Sequence, residues 1–259
     1  MPAVALTIAG SDPSGGAGIQ ADLKTFHQFR VYGEAVITLL TVQNTQSVAR
    51  VETLPADLVR QQIEHVISDI PPGAAKTGAL GSVEVVEAVA ELAQSFPFPL
   101  VVDPVMISKH GARLISSEAE QALKQRLLPQ ASLVTPNIPE AEALIGERIV
   151  TVEDMSAAAE RIRELGCKAV LIKGGHLSGE PIDVISAPGI VESFRYPRVH
   201  TRHTHGTGCT YSAAITAGLA LGCELLEAVT NARRYVQRAI EKAPGLGNGN
   251  GPLNHFVSA

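Results

Sequence analysis

The chain alternates short apolar segments, several of them rich in β-branched residues, with longer segments in which apolar residues recur at helical spacing. This alternation is typical of βαβ units around a mostly parallel sheet, so the pattern predicts an α/β protein. It predicts strands at residues 4–8, 35–40, 74–76, 100–102, 133–135 and 169–172. It predicts helices at residues 18–29, 56–70, 82–94, 117–128, 139–145 and 154–165. Helix-start signals at Ser116 and at Thr151 with Asp154 support two of these helices.

The last third of the chain begins with a different pattern. Residues 182–186 and 190–196 are short alternating runs joined by Ala187-Pro188-Gly189, which predicts a hairpin beside the active face or at a sheet edge. We expect the surrounding segment, residues 174–202, to act as a flap. Further helices are predicted at residues 209–221 and 225–242, and a loop at residues 244–252.

Length and composition indicate a globular protein. The 259 residues are 45% hydrophobic and 18% charged, and no linker interrupts them, so residues 1–259 are expected to form one domain. The formal net charge is −5, and the 21 Lys and Arg residues are spread along the chain. Nucleic acid is therefore not an expected partner, because no basic stripe is present to neutralise its backbone.

The N-terminus and the cysteines indicate the cellular compartment in which we expect the protein. The first apolar run is too short for a signal peptide or a membrane span, so we expect a cytoplasmic protein without a membrane partner. The three cysteines, Cys167, Cys209 and Cys223, form no C-x-x-C pair. Reduced thiols are expected, and a disulfide framework is not.

Unusual polar and glycine-rich segments follow the predicted strands directly. Ligands bind outside the carboxyl ends of strands in parallel sheets, so these loops are expected to face one crevice. Their sequences occupy residues 9–18, 41–44, 76–79, 103–106, 135–140 and 173–176.

The strongest local signal is the turn at residues 204–210, THGTGCT, which opens a helix of small residues. Glycines let backbone N–H groups converge at the start of a helix, where they bind phosphate or a developing anion. Cys209 would lie in this first turn, where a thiolate is favoured and can act as base or nucleophile. The alternative, a tight turn in which Cys209 only packs against the helix, is equally compatible with the sequence.

Asp103 and Glu140 follow two different strands and are oxygen ligands of the kind that hold Mg²⁺ through water. Each has a simpler interpretation, a helix N-cap for Asp103 and a solvated first-turn charge for Glu140. Lys173 could pair with phosphate or lie at the surface. Neither common nucleotide fingerprint is present, so phosphate binding requires another architecture.

Taken together, these segments resemble the hydroxymethylpyrimidine and phosphomethylpyrimidine kinases of thiamine biosynthesis, a branch of the ribokinase-like superfamily. The resemblance extends from about residue 4 to residue 242. The motifs that carry it are residues 9–22 (AGSDPSGGAGIQAD), 101–106 (VVDPVM), 135–140 (TPNIPE), 173–176 (KGGH) and 205–210 (HGTGCT).

The resemblance implies a kinase with a three-layer α/β/α ribokinase-like fold and a central, mostly parallel sheet. It further implies use of ATP and Mg²⁺, a homodimer, and two successive phosphorylations of 4-amino-5-hydroxymethyl-2-methylpyrimidine. The pyrimidine would lie against Gly10, Ala17, Val105 and Cys209, with Asp22 and Gln43 at its polar edge. Cys209 would be the catalytic residue, Gly206 and Gly208 the anion hole, Lys173, Asn137 and Thr207 the nucleotide site, and Asp103 and Glu140 the metal site.

One position departs from the family pattern. Ala79 stands where a methionine commonly packs on the pyrimidine ring, and the smaller side chain leaves room that bears on ring selectivity. Pyridoxal kinase of the same superfamily is therefore an alternative, whereas a sugar or nucleoside kinase would have Asp in place of Cys209. Outside the kinases, a pyrimidine-binding sensor without catalysis is a second alternative. An interaction scaffold would leave the clustered loops unexplained.

Overall fold

A computed structural model describes residues 2–107, 111, 114–175, 177 and 179–259. Their strands are β1 (Val4–Ser11), β2 (Tyr32–Gln43), β3 (Val48–Thr53), β4 (Ala74–Thr77), β5 (Leu100–Val102), β6 (Leu133–Val134), β7 (Val170–Ile172), β8 (Ile182–Ala187) and β9 (Ile190–Arg195). Their α-helices are α1 (Gly18–Gln28), α2 (Ala56–Asp69), α3 (Val83–Ala93), α4 (Ser117–Ala122), α5 (Ile138–Ile145), α6 (Val152–Arg163), α7 (Thr207–Ala220) and α8 (Leu225–Glu241).

All these strands belong to one sheet, in the order β3-β2-β1-β4-β5-β6-β7-β8-β9. The six neighbouring strands β2, β1, β4, β5, β6 and β7 are parallel to one another. Strand β3 at one edge, and β8 and β9 at the other, pair antiparallel with their neighbours. The predicted parallel centre is confirmed. The edge strand β3 was not predicted, because its exposed and partly buried side chains give no apolar run.

Helices cover both faces of the sheet, as alternation along the strands requires. Leu100 and Val102 pack in a core with α2 to α6, whereas Val101 between them packs with α7 and α8. The face of α7 also buries Phe26 from α1. The three-layer α/β/α fold expected from the resemblance is therefore confirmed.

The segment predicted as one helix at residues 117–128 consists of an α-helix, a π-helical turn and a 3₁₀ turn in succession. It starts at the predicted cap, where the Ser116 hydroxyl accepts from the Ala119 amide, and α4 ends at Ala122. A π-helical turn over Leu123–Leu127 and a 3₁₀ turn over Leu128–Gln130 follow. Apolar periodicity does not distinguish these tighter and wider turns from a continuing α-helix.

The predicted hairpin lies at the sheet edge. Strand β8 pairs with both β7 and β9, so this part of residues 174–202 is integrated into the sheet. A flap is therefore confined to the loops flanking the hairpin and stays a prediction. In the part of the chain that the structure describes, no helix is both long and apolar enough to cross a membrane.

Candidate active site

The loop after β1 packs against the turn that opens α7. The Asp12 carboxylate caps its own loop, since Oδ2 accepts from the Ala17 amide at 2.9 Å and Oδ1 accepts from the Ser14 amide at 2.9 Å. Gly206 has φ of 80°, and a Cβ there would overlap the carbonyl oxygen of Gly16. Only glycine satisfies both conditions, so the close approach of the two loops requires glycine at position 206.

His205 joins the same two loops. Its Nε2 lies 2.7 Å from Oδ2 of Asp12 and 3.2 Å from the side-chain nitrogen Nε2 of Gln43, and the imidazole is buried. Burial acts to raise the pKa of Asp12, but hydrogen bonds from His205 and Ser14 outweigh it and lower that pKa below its ordinary value. Asp12 is therefore a carboxylate at neutral pH.

Cys209 lies in the first turn of α7 and is partly buried. Burial raises the pKa of the Cys209 thiol to about 11, and the nearby Lys76 ammonium opposes this rise only in part. The sequence favoured a thiolate at this helix N-terminus, whereas desolvation and the neighbouring carboxylates of Asp22 and Asp103 raise the pKa of the thiol in the free protein.

A buried ion pair lies in this region. The Lys76 ammonium donates to Oδ2 of Asp22 at 2.9 Å, and the Thr7 hydroxyl donates to the same oxygen at 2.7 Å. Burial disfavours the charged form of Lys76, but the carboxylate of Asp22 and the groups of Cys209 and Asp103 raise its pKa above the ordinary value. The other oxygen of Asp22, Oδ1, has no hydrogen-bond partner among the described residues.

A second buried ion pair joins Lys173 and Asp103. The Lys173 ammonium donates to Oδ1 of Asp103 at 2.8 Å, and the hydroxyls of Thr135 and Ser212 donate to the same carboxylate, each at 3.3 Å. The side chain of Lys173 is 14% exposed and that of Asp103 is 2% exposed. Burial opposes the charge on Lys173, but Asp103 and Glu140 raise its pKa above the ordinary value.

Gly208 faces this pair. A Cβ at Gly208 would lie 3.2 Å from the Lys173 ammonium and 3.6 Å from Oδ2 of Asp103. The missing side chain therefore lets the start of α7 approach an ammonium and a carboxylate closely. Phosphate oxygens and a divalent cation require these donors and acceptors, so the residues present fit both ATP and Mg²⁺.

Asn137 and Glu140 cap a helix. The Asn137 side chain accepts from the Glu140 amide at 2.9 Å, and Oε2 of Glu140 accepts from the Asn137 amide at 2.8 Å, which is a complete capping box on α5. Burial raises the pKa of Glu140 to about 7, with Lys173 acting in the opposite direction. The first-turn interpretation of Glu140 is thus correct in position, although the carboxyl is buried and not solvated.

The remaining predicted residues surround these pairs. Gly10 is buried near the end of β1, and Val105 lies two residues after Asp103. Ala79 is partly buried, and its carbonyl oxygen accepts from the Thr38 hydroxyl at 2.6 Å. The Thr207 hydroxyl donates to the Thr204 carbonyl at 2.8 Å and so supports the turn. His176 of the KGGH motif lies outside the described residues.

Sequence reasoning missed the roles of Lys76, Asp12 and His205. Lys76 lies inside a predicted strand, and Asp12 and His205 are separated by 193 residues. A lysine that follows two alanines in a short predicted strand was the available signal for a buried charge pair. Among the described residues, no group of three His, Cys, Asp or Glu side chains is arranged to hold a metal ion without other ligands.

The fold and the two ion pairs around the α7 turn agree with the kinase that the sequence motifs predict. A sequence model described as phosphomethylpyrimidine kinase matches residues 12–254. The chain therefore belongs to the phosphomethylpyrimidine kinase family, as the sequence motifs predicted.

Individual relatives agree with this assignment. A hydroxymethylpyrimidine/phosphomethylpyrimidine kinase of Bacillus subtilis is 44% identical over 256 residues, which is 98% of this chain and 94% of that protein. The thiamine biosynthesis bifunctional protein ThiED of Geobacter sulfurreducens is 48% identical over 98% of this chain. This chain spans 52% of that longer protein.

Two solved structures are also similar. The phosphomethylpyrimidine kinase of Clostridium difficile superposes with a TM-score of 0.83 at 47% identity, covering 92% of this chain and 99% of that one. An ADP complex of Bacillus subtilis pyridoxal kinase superposes with a TM-score of 0.91 at 38% identity, covering 98% of both chains. Pyridoxal kinase therefore remains the alternative activity within this fold.

Proposed function

We propose that this protein transfers the terminal phosphoryl group of ATP to 4-amino-5-hydroxymethyl-2-methylpyrimidine and then phosphorylates the monophosphate to the diphosphate. The observation that carries the proposal is the close approach of Gly208, at the start of α7, to the ion pair of the Lys173 ammonium and the Asp103 carboxylate. Family membership supports the pyrimidine substrate, and the similar fold of an ADP-bound kinase supports ATP as the donor.

The residues around Gly208 would stabilise different charges during phosphoryl transfer. Backbone amides at the start of α7 and the Lys173 ammonium bind the negative charge that spreads over the transferred group. Asp103, with Glu140 behind it, would hold Mg²⁺ through water. The cation would neutralise phosphate charge when bound. The capping box of Asn137 and Glu140 fixes where α5 begins, and so positions these groups relative to Lys173.

Cys209 would accept the proton of the hydroxymethyl group. The pKa of about 11 means that the thiol is protonated in the free protein at neutral pH. Lys76 is the group that favours the thiolate, and its own charge is secured by Asp22. We infer that Asp22 keeps Lys76 charged beside Cys209, that this ammonium offsets part of the rise in the thiol pKa, and that the small thiolate fraction sets the rate at neutral pH.

Product analysis tests this function. Wild-type protein is incubated with Mg·ATP and the hydroxymethylpyrimidine, and ³¹P NMR follows the monophosphate and the diphosphate. We expect the monophosphate to form first and then to be consumed. Asp103→Asn is the matched control, because it keeps the size of the side chain and removes the charge that pairs with Lys173. A monophosphate that accumulates without conversion would exclude the second step.

Pyridoxal kinase activity is the second candidate, and two observations favour it. The small side chain of Ala79 leaves room beside the expected ring position, and the pyridoxal kinase of Bacillus subtilis has the same fold along 98% of the chain. We expect pyridoxal to be a slower substrate of the same site.

The assembly and compartment are part of the same proposal. Leu40 and Val42 on β2 are 44% and 58% exposed, which is apolar surface that a second copy of the chain could cover. We expect a homodimer, and light scattering coupled to gel filtration measures it. A cytoplasmic location follows from the need for ATP.

A further inference from the structure

The backbone amides of Lys173 and Gly174 lie just beyond the end of a strand pairing. The antiparallel register between β7 and β8 ends at Ile172, so the next two amides need acceptors outside this ladder. The Lys173 amide donates to the carbonyl oxygen of Pro136, in the loop after β6, at 2.8 Å. The Gly174 amide donates to a side chain, Oδ1 of Asp183 on β8, at 3.0 Å.

These two hydrogen bonds determine the backbone conformation of Lys173. Peptide bonds are planar, so φ and ψ of a residue follow from the orientations of the two peptide planes that flank it. The Lys173 amide lies in the first of these planes and the Gly174 amide in the second, and each has its own acceptor. Pro136 and Asp183 therefore set the direction in which the side chain of Lys173 leaves the backbone. A lysine stem is flexible, so this direction decides where its ammonium can reach.

Asp183 is held in place by a group from α8. Its side chain is 4% exposed, and Oδ2 lies 3.1 Å from Nε of Arg233, whose side chain is 7% exposed. The guanidinium carbon of Arg233 lies 4.0 Å from the centre of the Tyr196 ring. Burial raises the pKa of Asp183, and the charge of Arg233 and the hydrogen bond from Gly174 oppose this rise. The carboxyl group therefore lies between a cation of α8 and the amide that follows Lys173.

Close packing keeps Gly174 against the strand that carries Asp183. A Cβ at Gly174 would overlap the carbonyl oxygen of Ile182, the residue before Asp183. Only glycine allows this approach. At the other end of the lysine, the Lys173 ammonium donates to Oδ1 of Asp103 at 2.8 Å. One carboxyl group thus binds next to the backbone of Lys173, and another binds its ammonium.

We propose that Asp183 is a positioning residue, which fixes the backbone of Lys173 through the Gly174 amide so that the lysine ammonium meets the phosphate groups of the nucleotide. Arg233 supplies the counter-charge that lets Asp183 be buried. The inference rests on the proposed function for the nucleotide as the ligand of Lys173. It deepens that function by adding a residue outside the motifs that identified the site.

Two double variants separate the hydrogen bond to Gly174 from the ion pair with Arg233. Both contain Arg233→Gln, so neither leaves a buried guanidinium without a counter-charge, and they differ only at position 183. Asp183→Asn keeps an acceptor for the Gly174 amide, whereas Asp183→Leu is of similar size and accepts no hydrogen bond. Thermal unfolding establishes first that both double variants are folded.

The ammonium of Lys173 provides a measurement in the free protein. A buried ammonium in an ion pair exchanges its protons slowly enough to be observed by ¹⁵N–¹H NMR, and Lys173→Met assigns the signal. We expect this signal in wild type and in the Asp183→Asn variant, and its loss in the Asp183→Leu variant. The buried ammonium of Lys76 is the internal control and should be observed in all three. A Lys173 signal that persists in the Asp183→Leu variant, or the loss of both signals, would overturn the proposal.

Nucleotide affinity tests whether Asp183 acts through Lys173. Calorimetry should give a dissociation constant for Mg·ADP at least about fivefold higher for the Asp183→Leu variant than for the Asp183→Asn variant. In a Lys173→Met background the two should bind Mg·ADP equally. A difference that persists without the lysine would mean that Asp183 supports the fold alone.

Arg198 provides a matched control farther along the same loop. Its guanidinium donates to the carbonyl oxygens of Gly175, Leu177 and Gly179. Arg198→Met removes these hydrogen bonds and should leave the ammonium signal of Lys173 unchanged. An equal loss of that signal would assign the positioning to the order of the loop and not to Asp183.

Wild-type protein keeps the proposal testable if the Asp183→Leu variant does not fold. The Gly174 amide should exchange with solvent as slowly as the amides of β7, and rapid exchange would refute its hydrogen bond to Asp183. Conversely, the expected ammonium signals in wild type and both variants, with no binding of Mg·ADP to wild type, would refute the proposed function and leave the positioning of Lys173 standing.

Discussion

The ammonium of Lys76 lies 2.9 Å from the carboxylate of Asp22, and both side chains are completely buried. The two residues come from β4 and α1, so the pair ties a central strand to the helix layer that also contains α7. An ion pair with no exposure is costly to desolvate and is rarely kept for stability alone. The pair lies near Cys209, where the Lys76 ammonium acts to lower the pKa of the thiol and the Asp22 carboxylate acts to raise it.

Replacing Lys76 alone should destabilise the fold more than replacing Lys76 and Asp22 together. Lys76→Met leaves the Asp22 carboxylate buried without a counter-charge and should lower the free energy of unfolding by about 3 kcal/mol or more. The double variant with Asp22→Asn should recover part of this loss, since no charge is then left unpaired. Urea unfolding of the single and double variants measures the difference. A double variant as unstable as the sum of the singles would show that the two side chains do not interact.

The thiol of Cys209 should make the reaction rate dependent on pH. With a pKa of about 11, the thiolate fraction rises about tenfold for each pH unit between 7 and 10. We expect kcat to rise with pH in this range and Cys209→Ala to lower kcat by about 100-fold. Cys209→Asp supplies an acceptor that is already ionised and should flatten the pH profile. A flat wild-type profile, or near-normal turnover by Cys209→Ala, would remove the thiol from proton transfer.

His255 should make stability depend on pH below neutrality. Burial lowers its pKa to about 4, and Nε2 lies 3.0 Å from the Thr210 hydroxyl in α7. The unfolded chain, with a histidine pKa of about 6.5, takes up the proton first as pH falls. Stability is therefore complete above about pH 6.5 and is lost between pH 6.5 and 4, by on the order of 2 to 3 kcal/mol.

His255→Gln keeps a polar partner for Thr210 without a titrating ring and should be less sensitive to acid than wild type. The exposed residue His200 provides the control, since His200→Gln should follow the wild-type curve. Thermal unfolding between pH 4 and 7 gives both comparisons. Parallel curves for wild type and His255→Gln would contradict the linkage.

Ala79→Met tests where the ring binds. The carbonyl bond to Thr38 is retained in this variant, and only the side chain grows. A methionine against the ring should lower KM for the pyrimidine by a few-fold, because about 1 kcal/mol of apolar contact is gained. KM for ATP should not change. A higher KM for the pyrimidine would show that the space beside Ala79 is already filled.

Most of the fold was predictable from local patterns, whereas the electrostatics of the site was not. The parallel strands and the Thr151 capping box follow from periodicity and helix-start signals, and both are confirmed. Strand β3 was missed because an edge strand needs no apolar run. Its antiparallel pairing with β2 becomes visible only in three dimensions.

In the site, too, sequence patterns predicted which residues take part but not how they interact. Motifs identified the residues around Cys209, but the pKa of its thiol depends on burial and on Asp22 and Asp103, which come from distant parts of the chain. Gln43 and His205 are 162 residues apart in sequence, so their contact could not be read from spacing. Long-range pairing of charged and polar groups is set by the fold, and that is the information the sequence pattern lacks.

The most direct test of the central claim compares three substrates side by side. Purified protein is given Mg·ATP with the hydroxymethylpyrimidine, with its monophosphate or with pyridoxal, and kcat/KM is measured for each. The account predicts that both pyrimidines react and that pyridoxal is slower. Reaction with pyridoxal alone would contradict the assigned substrate, and binding of all three without phosphoryl transfer would contradict the assignment of this protein as a kinase.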